Sequence, residues 1–307
     1  MKQITQNILM VRPAQYRMNE QTAVNNHFQK EMDKSPEEIT RLALEEFDNL
    51  VAKLRSVGVI VDVYQDKAEN NTPDSIFPNN WISYHEGGTV VLYPMFAENR
   101  RKERKEEIMR SAGGETEYII LLILRMDTSE DDGKFLEGTG CLVLDRVNRK
   151  AYCALSERAH EEIVHKFCEQ MNFEPVLFIA NQTINGERKA IYHTNVMMSI
   201  GENIAIVCLD SIDNETQREN LISNLTADGK EIIEITEEQM HSFAGNMLQV
   251  RGADNKKFMV MSQQAKESLS EAQISSIENN CEILSSDLNT IETLGGGSAR
   301  CMMAEVF

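Results

Sequence analysis

The sequence predicts an α/β protein in which a small strand-and-helix unit recurs. Three observations carry that expectation. Helical and strand-like apolar periodicities alternate along the whole chain. The recurring group is two or three strands with one helix, about five times over, a rhythm without visible identity between units. No Pro- or Gly-rich linker interrupts it, so residues 1–307 are expected to form a single domain.

The elements follow in order. Ser35-Pro36-Glu37-Glu38 is a capping box with proline at the first helical position. The helix it opens carries Ile39, Leu42, Phe47, Leu50, Leu54 and Val57 on one face and stops at Gly58. Strands are expected at Val59 to Tyr64 and Thr89 to Met95, then a charged helix from Glu98 to Ala112 ended by Gly113-Gly114, then a buried strand from Tyr118 to Leu124. Cys141 to Asp145 and Ala151 to Leu155 read as a hairpin, and Ser156 caps a helix running to about Met171. Pro175 to Ala180, Ala190 to His193, Val196 to Ile200 and Ala205 to Leu209 are strand-like, and Asp213 to Thr226 is helical. A strand at Glu231 to Ile235 precedes a short helix capped by Thr236 and Gln239. Strands at Met247 to Val250 and Phe258 to Met261 precede a helix capped by Ser270 and Gln273. Strands at Glu282 to Leu284 and Thr290 to Thr293 complete the series.

Composition narrows the function classes. The charge of −18 opposes a sequence-independent grip on nucleic acid or an anionic membrane, so neither is expected as a partner. The longest apolar run, Tyr118 to Leu124, is too short to span a bilayer. The opening residues lack the apolar core of a secretory signal. The six cysteines contain no CxxC pair, and Cys141, Cys153, Cys208 and Cys281 lie in or beside apolar strands, where thiols act as small hydrophobes. A reduced, cytoplasmic setting is the default expectation.

The chemistry concentrates in four places. Gly295-Gly296-Gly297-Ser298-Ala299-Arg300-Cys301 sets a thiol in a glycine-rich loop beside a cation that favours the thiolate, which makes Cys301 a candidate nucleophile. His193 ends a strand and is the strongest candidate base among the six histidines. Glu137 lies between an apolar pair and a Gly-Thr-Gly turn. Phe77-Pro78-Asn79-Asn80-Trp81 sets two carboxamides against the only tryptophan. The bland alternatives are a buried thiol, a structural histidine, a turn acid and a turn with an aromatic anchor.

Taken in order, Glu137, His193 and a terminal Gly-rich Cys301 loop resemble the guanidine-modifying superfamily, whose fold is called the pentein fold. The resemblance covers essentially the whole chain from Arg12-Pro13 onward. It rests on GGGSARCMM at the end, EGTG at Glu137–Gly140, Ser156-Glu157-Arg158-Ala159-His160 and Pro73-Asp74-Ser75-Ile76-Phe77-Pro78-Asn79-Asn80. MVRP, FPNNW, YPM followed by NRR, and GGGSARCM are similar to the branch called citrulline utilisation hydrolases, also labelled amidinotransferase-like. The resemblance implies a five-fold pseudosymmetric α/β propeller of ββαβ-like units. It implies that Cys301 attacks an amidine or ureido carbon, that His193 moves the protons and that Glu137 orients His193. It implies that Arg158 grips a substrate carboxylate, and that Asp74, Asn79, Asn80 and Asn195 bind substrate. Arg100 or Arg101 is a further candidate for the carboxylate, although most of that charged segment reads as a solvated face with pairs such as Lys102–Glu106. Neither a metal nor an organic cofactor is needed, and assembly into a homo-oligomer is allowed.

The sequence departs from the arginine pattern at three acids. Asn80, Gly140 and Asn195 stand where arginine-type members carry aspartates, while Asp74 is acidic where they carry asparagine. A carboxamide both donates and accepts, so it suits a neutral ureido group. The expected reaction is therefore hydrolysis of citrulline to ornithine, ammonia and carbon dioxide. Alternatives are hydrolysis of arginine or methylarginine, transfer of the amidino group to an amine, and a binding protein that has lost activity.

Overall fold

The computed structural model describes residues 1–112 and 118–307. Among these residues, five three-stranded sheets and one two-stranded ribbon account for the strands. Each sheet repeats one plan. An inner strand pairs antiparallel with a middle strand, and the middle strand pairs parallel with an outer one. A parallel pair needs a crossover, and that crossover carries the helix of the unit.

In chain order the inner strands are Ile82–His85, Val143–Asp145, Met198–Ile200, Leu248–Arg251 and Ala304–Val306. The last of them belongs to the first unit. Ala304–Val306 pairs antiparallel with Asn7–Arg12, placing Asn7 opposite Val306 and Leu9 opposite Ala304, and Asn7–Arg12 runs parallel to Ile60–Gln65. The ring is thus closed by residues from its two ends, in the five-unit α/β propeller that the resemblance implied.

Apolar cores lie between neighbouring units. Leu9, Val11, Ile82, Val90 and Val306 pack between the first and second. Val91, Tyr93, Leu142, Ala151 and Phe167 pack between the second and third. Ile8, Phe47, Leu50, Val250 and Phe258 join the fifth unit to the first. The helix Pro36–Ser56 supplies much of that last seam. Ser35 caps it by accepting the Glu38 N–H at 3.2 Å, and Ile39, Ala43, Phe47, Leu50, Val51 and Leu54 form its buried face. No helix among the described residues is long and apolar enough to cross a membrane.

Several expectations are corrected. The segment from Glu98 is a 3-10 turn, Glu98–Glu103, followed by a short helix, Glu106–Arg110. Arg100 and Glu103 are buried rather than solvated, and Arg104 forks onto Glu130, so the basic side chains turn inward and break the helix. Glu106 pairs with Arg110. The expected stop at Gly113-Gly114 lies outside the described residues. The strand expected to be buried from Tyr118 is Leu122–Arg125, an edge strand, with Ile119 71% and Leu121 76% exposed. The helix after Ser156 starts only at Glu161. Ser156 instead accepts the Arg158 N–H and donates to the Tyr192 carbonyl, which makes a turn that carries Arg158. Of the strand expected at 190–193 only Ala190 is in one, as the last residue of Glu187–Ala190; 191–193 lead out of it, and 194–197 form a helical turn before Met198–Ile200.

Thr290 to Thr293 is helical, within Asn289–Gly295. Its β-branched residues suggest strand. The Glu46 carboxylate overrides them by accepting the Thr290 and Ile291 N–H groups at 2.8 and 3.0 Å, satisfying donors that a helix start leaves orphaned.

Phe47 is fully buried at the seam that closes the ring. Phe47→Ala is expected to cost about 3–5 kcal/mol of stability in urea unfolding, the range for deleting a buried aromatic ring.

Candidate active site

Chemistry-bearing residues occupy the same phase of every unit, just before the inner strand. Asn79 and Asn80 precede Ile82–His85; Glu137 and Gly140 precede Val143–Asp145; His193 and Asn195 precede Met198–Ile200. Asn246 precedes Leu248–Arg251, and Cys301 precedes Ala304–Val306. Pseudosymmetry brings these five entry segments together.

The helix Asn289–Gly295 ends in Gly296, whose φ of +60° favours glycine. A Cβ on Gly295 would lie 2.3 Å from the Tyr16 hydroxyl and 2.7 Å from the Phe77 ring, so the loop packs as bare backbone. The Tyr192 hydroxyl donates to the Gly296 carbonyl at 2.5 Å, and Asn26 Nδ2 donates to that of Gly295 at 3.2 Å. Cys301, buried at the end of this loop, receives two N–H donors on Sγ, from Asn195 Nδ2 and Asn246 Nδ2, each at 3.3 Å. Asn246 also donates to the Asn195 carbonyl at 3.0 Å, and its Oδ1 accepts the Arg300 N–H at 3.1 Å. Arg300 does not serve the thiol as its place in the sequence suggested. Its guanidinium turns away, to Glu305 at 2.7 Å and the Met303 carbonyl at 2.9 Å.

His193 is paired with Glu137, Nε2 to Oε2 at 2.7 Å, and both are buried. Burial alone would push the Glu137 carboxyl up. The Arg158 guanidinium 3.5 Å away and the His193 hydrogen bond outweigh burial and hold it near 2. Burial likewise pulls His193 down to about 4, offset only in part by Glu137. The pair at neutral pH is a carboxylate and a neutral imidazole. That leaves the imidazole free to take a proton.

Asn80 Oδ1 accepts a hydrogen bond from Arg100 Nη1 at 2.6 Å, and its Nδ2 donates to Asn79 Oδ1 at 2.9 Å. Arg100 is fixed in turn by a two-bond fork onto Glu103, at 3.0 and 2.9 Å, all of it buried. Gly140 sits between Asn80 and His193. A Cβ there would be 2.6 Å from Asn80 Nδ2 and 2.8 Å from His193 Nδ1. The site therefore has no room for an acid at that position, so Gly140 reports close packing rather than a removable charge.

Asp74, Asn80, Arg100, Arg158, His193 and Cys301 line one cavity. Glu137 lies behind His193, Asn79 behind Asn80, and Asn195 against Cys301. Thr22 and Asn26, from the segment around the helical turn Glu20–Ala23, also line it. This segment covers the site through two anchors. The Arg158 guanidinium donates to Asn25 Oδ1 and the Thr22 carbonyl, and lies 4.8 Å from the Tyr192 ring. Asp74 Oδ2 accepts from Asn19 Nδ2 at 2.7 Å and Thr22 Oγ1 at 3.2 Å, while Asp74 Oδ1 has no hydrogen-bond partner. The cavity is about 10 Å³, room for about one water.

Sequence reasoning missed Asn246, Thr22, Asn26 and Tyr192. A signal for Asn246 existed in the phase of the repeat, since each of the other four units has a polar site residue just before its inner strand.

The family described as N,N dimethylarginine dimethylhydrolase, eukaryotic, matches residues 12–307. The chain belongs to that family, whose hydrolases act on C–N bonds other than peptide bonds. A search of the curated proteins returns no match. Among solved structures, apo ArgZ, an arginine dihydrolase from the ornithine-ammonia cycle in cyanobacteria, is similar at TM-score 0.73 and 17% identity, over 97% of this chain and 40% of that one. The N-terminal domain of ArgZ carrying a covalent reaction intermediate gives TM-score 0.71 and 17% identity, over 98% and 97% of the two chains. A dimethylarginine dimethylaminohydrolase variant holding an S-methyl-L-thiocitrulline adduct gives 0.62 and 14%, over 98% and 99%. These likenesses show the pentein fold. The chain spans less than half the length of intact ArgZ.

Gly140→Ala is expected to lower kcat about 100-fold or more, by displacing Asn80 and His193. His193 is held below its unfolded value of 6.5, so it contributes stability at neutral pH that fades as pH falls from 6.5 through about 4. Thermal melts of His193→Asn should therefore drop less steeply than wild type across that window.

Proposed function

We propose that the protein is a cysteine hydrolase of ureido amino acids, with residues 1–307 as its catalytic domain and citrulline as its substrate. One observation carries the reading: Arg100 occupies the oxygen of Asn80. What Asn80 offers a substrate is then its N–H, a partner for a carbonyl oxygen. A ureido group has that oxygen, whereas a guanidinium has only donors and meets the buried Arg100 charge nearby.

Two groups now held by the covering segment match the two charged ends of an amino acid. When residues 19–26 move away, Asp74 loses Asn19 and Thr22 and faces the α-ammonium. Arg158 loses Asn25 and Thr22 and presents its fork to the α-carboxylate. The zwitterion replaces the contacts that kept the site shut.

Cys301 Sγ, supported by the amides of Asn195 and Asn246, attacks the ureido carbon, and its thiol proton passes to neutral His193. Glu137 stabilises the resulting imidazolium. Asn80 donates to the oxygen of the tetrahedral adduct. His193 returns the proton to the departing nitrogen as the C–N bond breaks. It then deprotonates water to cleave the thioester-like carbamoyl intermediate. Citrulline and one water yield ornithine, ammonia and carbon dioxide.

Product analysis with citrulline and arginine supplied separately tests this. Ornithine from citrulline should form at least about tenfold faster than any product from arginine, a difference of about 1.4 kcal/mol in barrier. Faster turnover of arginine or a methylarginine would overturn the ureido reading, and an amidino product on an added amine would make the protein a transferase. Cys301→Ala should abolish turnover, and Arg158→Lys, which keeps a cation beside Glu137 but loses the two-pronged fork, should raise KM for citrulline more than it lowers kcat.

A further inference from the structure

Glu292 breaks a rule that the rest of the protein keeps. Among the described residues, every other buried acid has a cation as ion-pair partner, as Glu137 has Arg158 and Asp145 has Lys230. Glu292 is 2% exposed and has none. The charges that bear on it are themselves acids, Glu46 on the helix Pro36–Ser56 and Asp287 just before its own helix, Asn289–Gly295. Buried Tyr16 lies in its field as a neutral phenol. His27, Lys30 and His241 share a cavity with Glu292, and none of them is at ion-pair distance. Burial, with the two acids, pushes its carboxyl up to about 7.

Two hydroxyls stand where a cation would. The Ser262 and Ser298 hydroxyls both favour the charged form. Ser298 Oγ donates to Glu292 Oε1 at 2.6 Å, the short distance of a charge-assisted bond. Ser262 ends the strand Lys257–Ser262, the middle strand of the fifth unit, and its oxygen already accepts the Ala265 N–H at 3.1 Å. Its proton is therefore the part left for the carboxylate. Glu292 thus ties the fifth unit to the glycine loop. It holds that loop a second time through its backbone, whose carbonyl accepts the Gly296 N–H at 2.9 Å. Ser298 is fully buried, and its own carbonyl accepts the Cys301 N–H at 3.0 Å. Glu292 and Ser298 stand outside the lining of the catalytic cavity, whereas Gly295, Gly296, Gly297 and Cys301 belong to it.

We propose that Glu292 is a positioning residue for the nucleophile, its carboxylate fixing through Ser298 the loop that carries Cys301. The inference rests on Cys301 being the attacking atom's residue in the reaction proposed above. A protonated Glu292 keeps only a neutral hydrogen bond to Ser298, about half as strong, so the loop is held firmly above neutral pH and loosely below it. The sign of the stability change fits a functional group. The carboxyl is raised above its ordinary 4.5, so the native state loses stability as pH climbs from 4.5 through about 7 and bears the full penalty above that. The fold is weakened by the very charge that steadies the thiol, a trade expected at sites of chemistry.

The test is a pH–rate profile from about pH 5 to pH 9 with whichever of citrulline and arginine the protein turns over. Wild-type kcat should fall below about pH 7 as Glu292 takes up a proton. Glu292→Gln should lower kcat about tenfold at pH 8, leave KM within about twofold, and lose that fall. Ser298→Ala removes a hydroxyl that favours the charged form, so it should move the fall upward by about one pH unit. The double variant should be no more than about twofold slower than Glu292→Gln, because both substitutions break one bond. Alkylation of Cys301 by iodoacetamide, read by peptide mass spectrometry, makes the comparison without a substrate. The ratio of wild-type to Glu292→Gln rates should change across pH 7. An acid limb that stays in place in both single variants, an unchanged kcat in Glu292→Gln, or an alkylation ratio that is constant with pH would overturn the proposal. A preference for arginine would overturn the ureido reading alone and leave this one standing.

Discussion

The pairing of Ala304–Val306 with Asn7–Arg12 is the contact on which the rest of this protein depends. Without it the first unit lacks its inner strand, the cores on either side of that unit lose a wall, and the propeller is an open arc. The same pairing fixes Cys301. Cys301 sits three residues before Ala304, so the strand that closes the ring also delivers the thiol to the axis. Stability and chemistry share one piece of backbone.

Around that thiol the polar groups fall into two electrostatic regimes. Close to Sγ the partners are neutral carboxamides, Asn195 and Asn246, which supply hydrogen bonds without charge. One layer further out, Glu137 is flanked by Arg158 and His193, and Arg100 is forked onto Glu103. Breaking one of those outer pairs leaves an uncompensated buried charge, at several kcal/mol. The outer layer therefore has little freedom to change, whereas the neutral carboxamides around Cys301 can be exchanged at more modest cost.

Much of this was legible in the sequence, for reasons specific to each residue. The helix Pro36–Ser56 carried its own cap, period and stop, and tertiary contacts agreed with them. The glycine loop announced itself because Gly295 has no space for a side chain and Gly296 adopts a left-handed conformation. Where reading failed, a distant partner had overruled a local preference. Glu46 makes a helix start of β-branched Thr290 and Ile291, and Glu130 and Asn80 draw Arg104 and Arg100 inward from what looked like a solvated helix. Arg300 was misread because adjacency in sequence says nothing of direction; Glu305 claims its guanidinium. Asn246 carries no local signal at all. Only the phase of the repeat, visible once the inner strands are known, marks it as the contribution of the fifth unit.

The ring closure also governs the order of events as the chain folds. Asn7 and Val306 stand at opposite ends of the sequence yet lie side by side in one sheet. Bringing them together requires loop-closure entropy across nearly the whole polypeptide, the kind of non-local contact that slows folding. The intervening units shorten that search, because each can pack on its neighbour as it emerges and carry the two ends toward each other. The placing of Cys301 beside His193 depends on that long-range contact. Removing Ala304–Val306 would leave His193 and Glu137 on their own units but deprive Cys301 of the strand that holds it beside them.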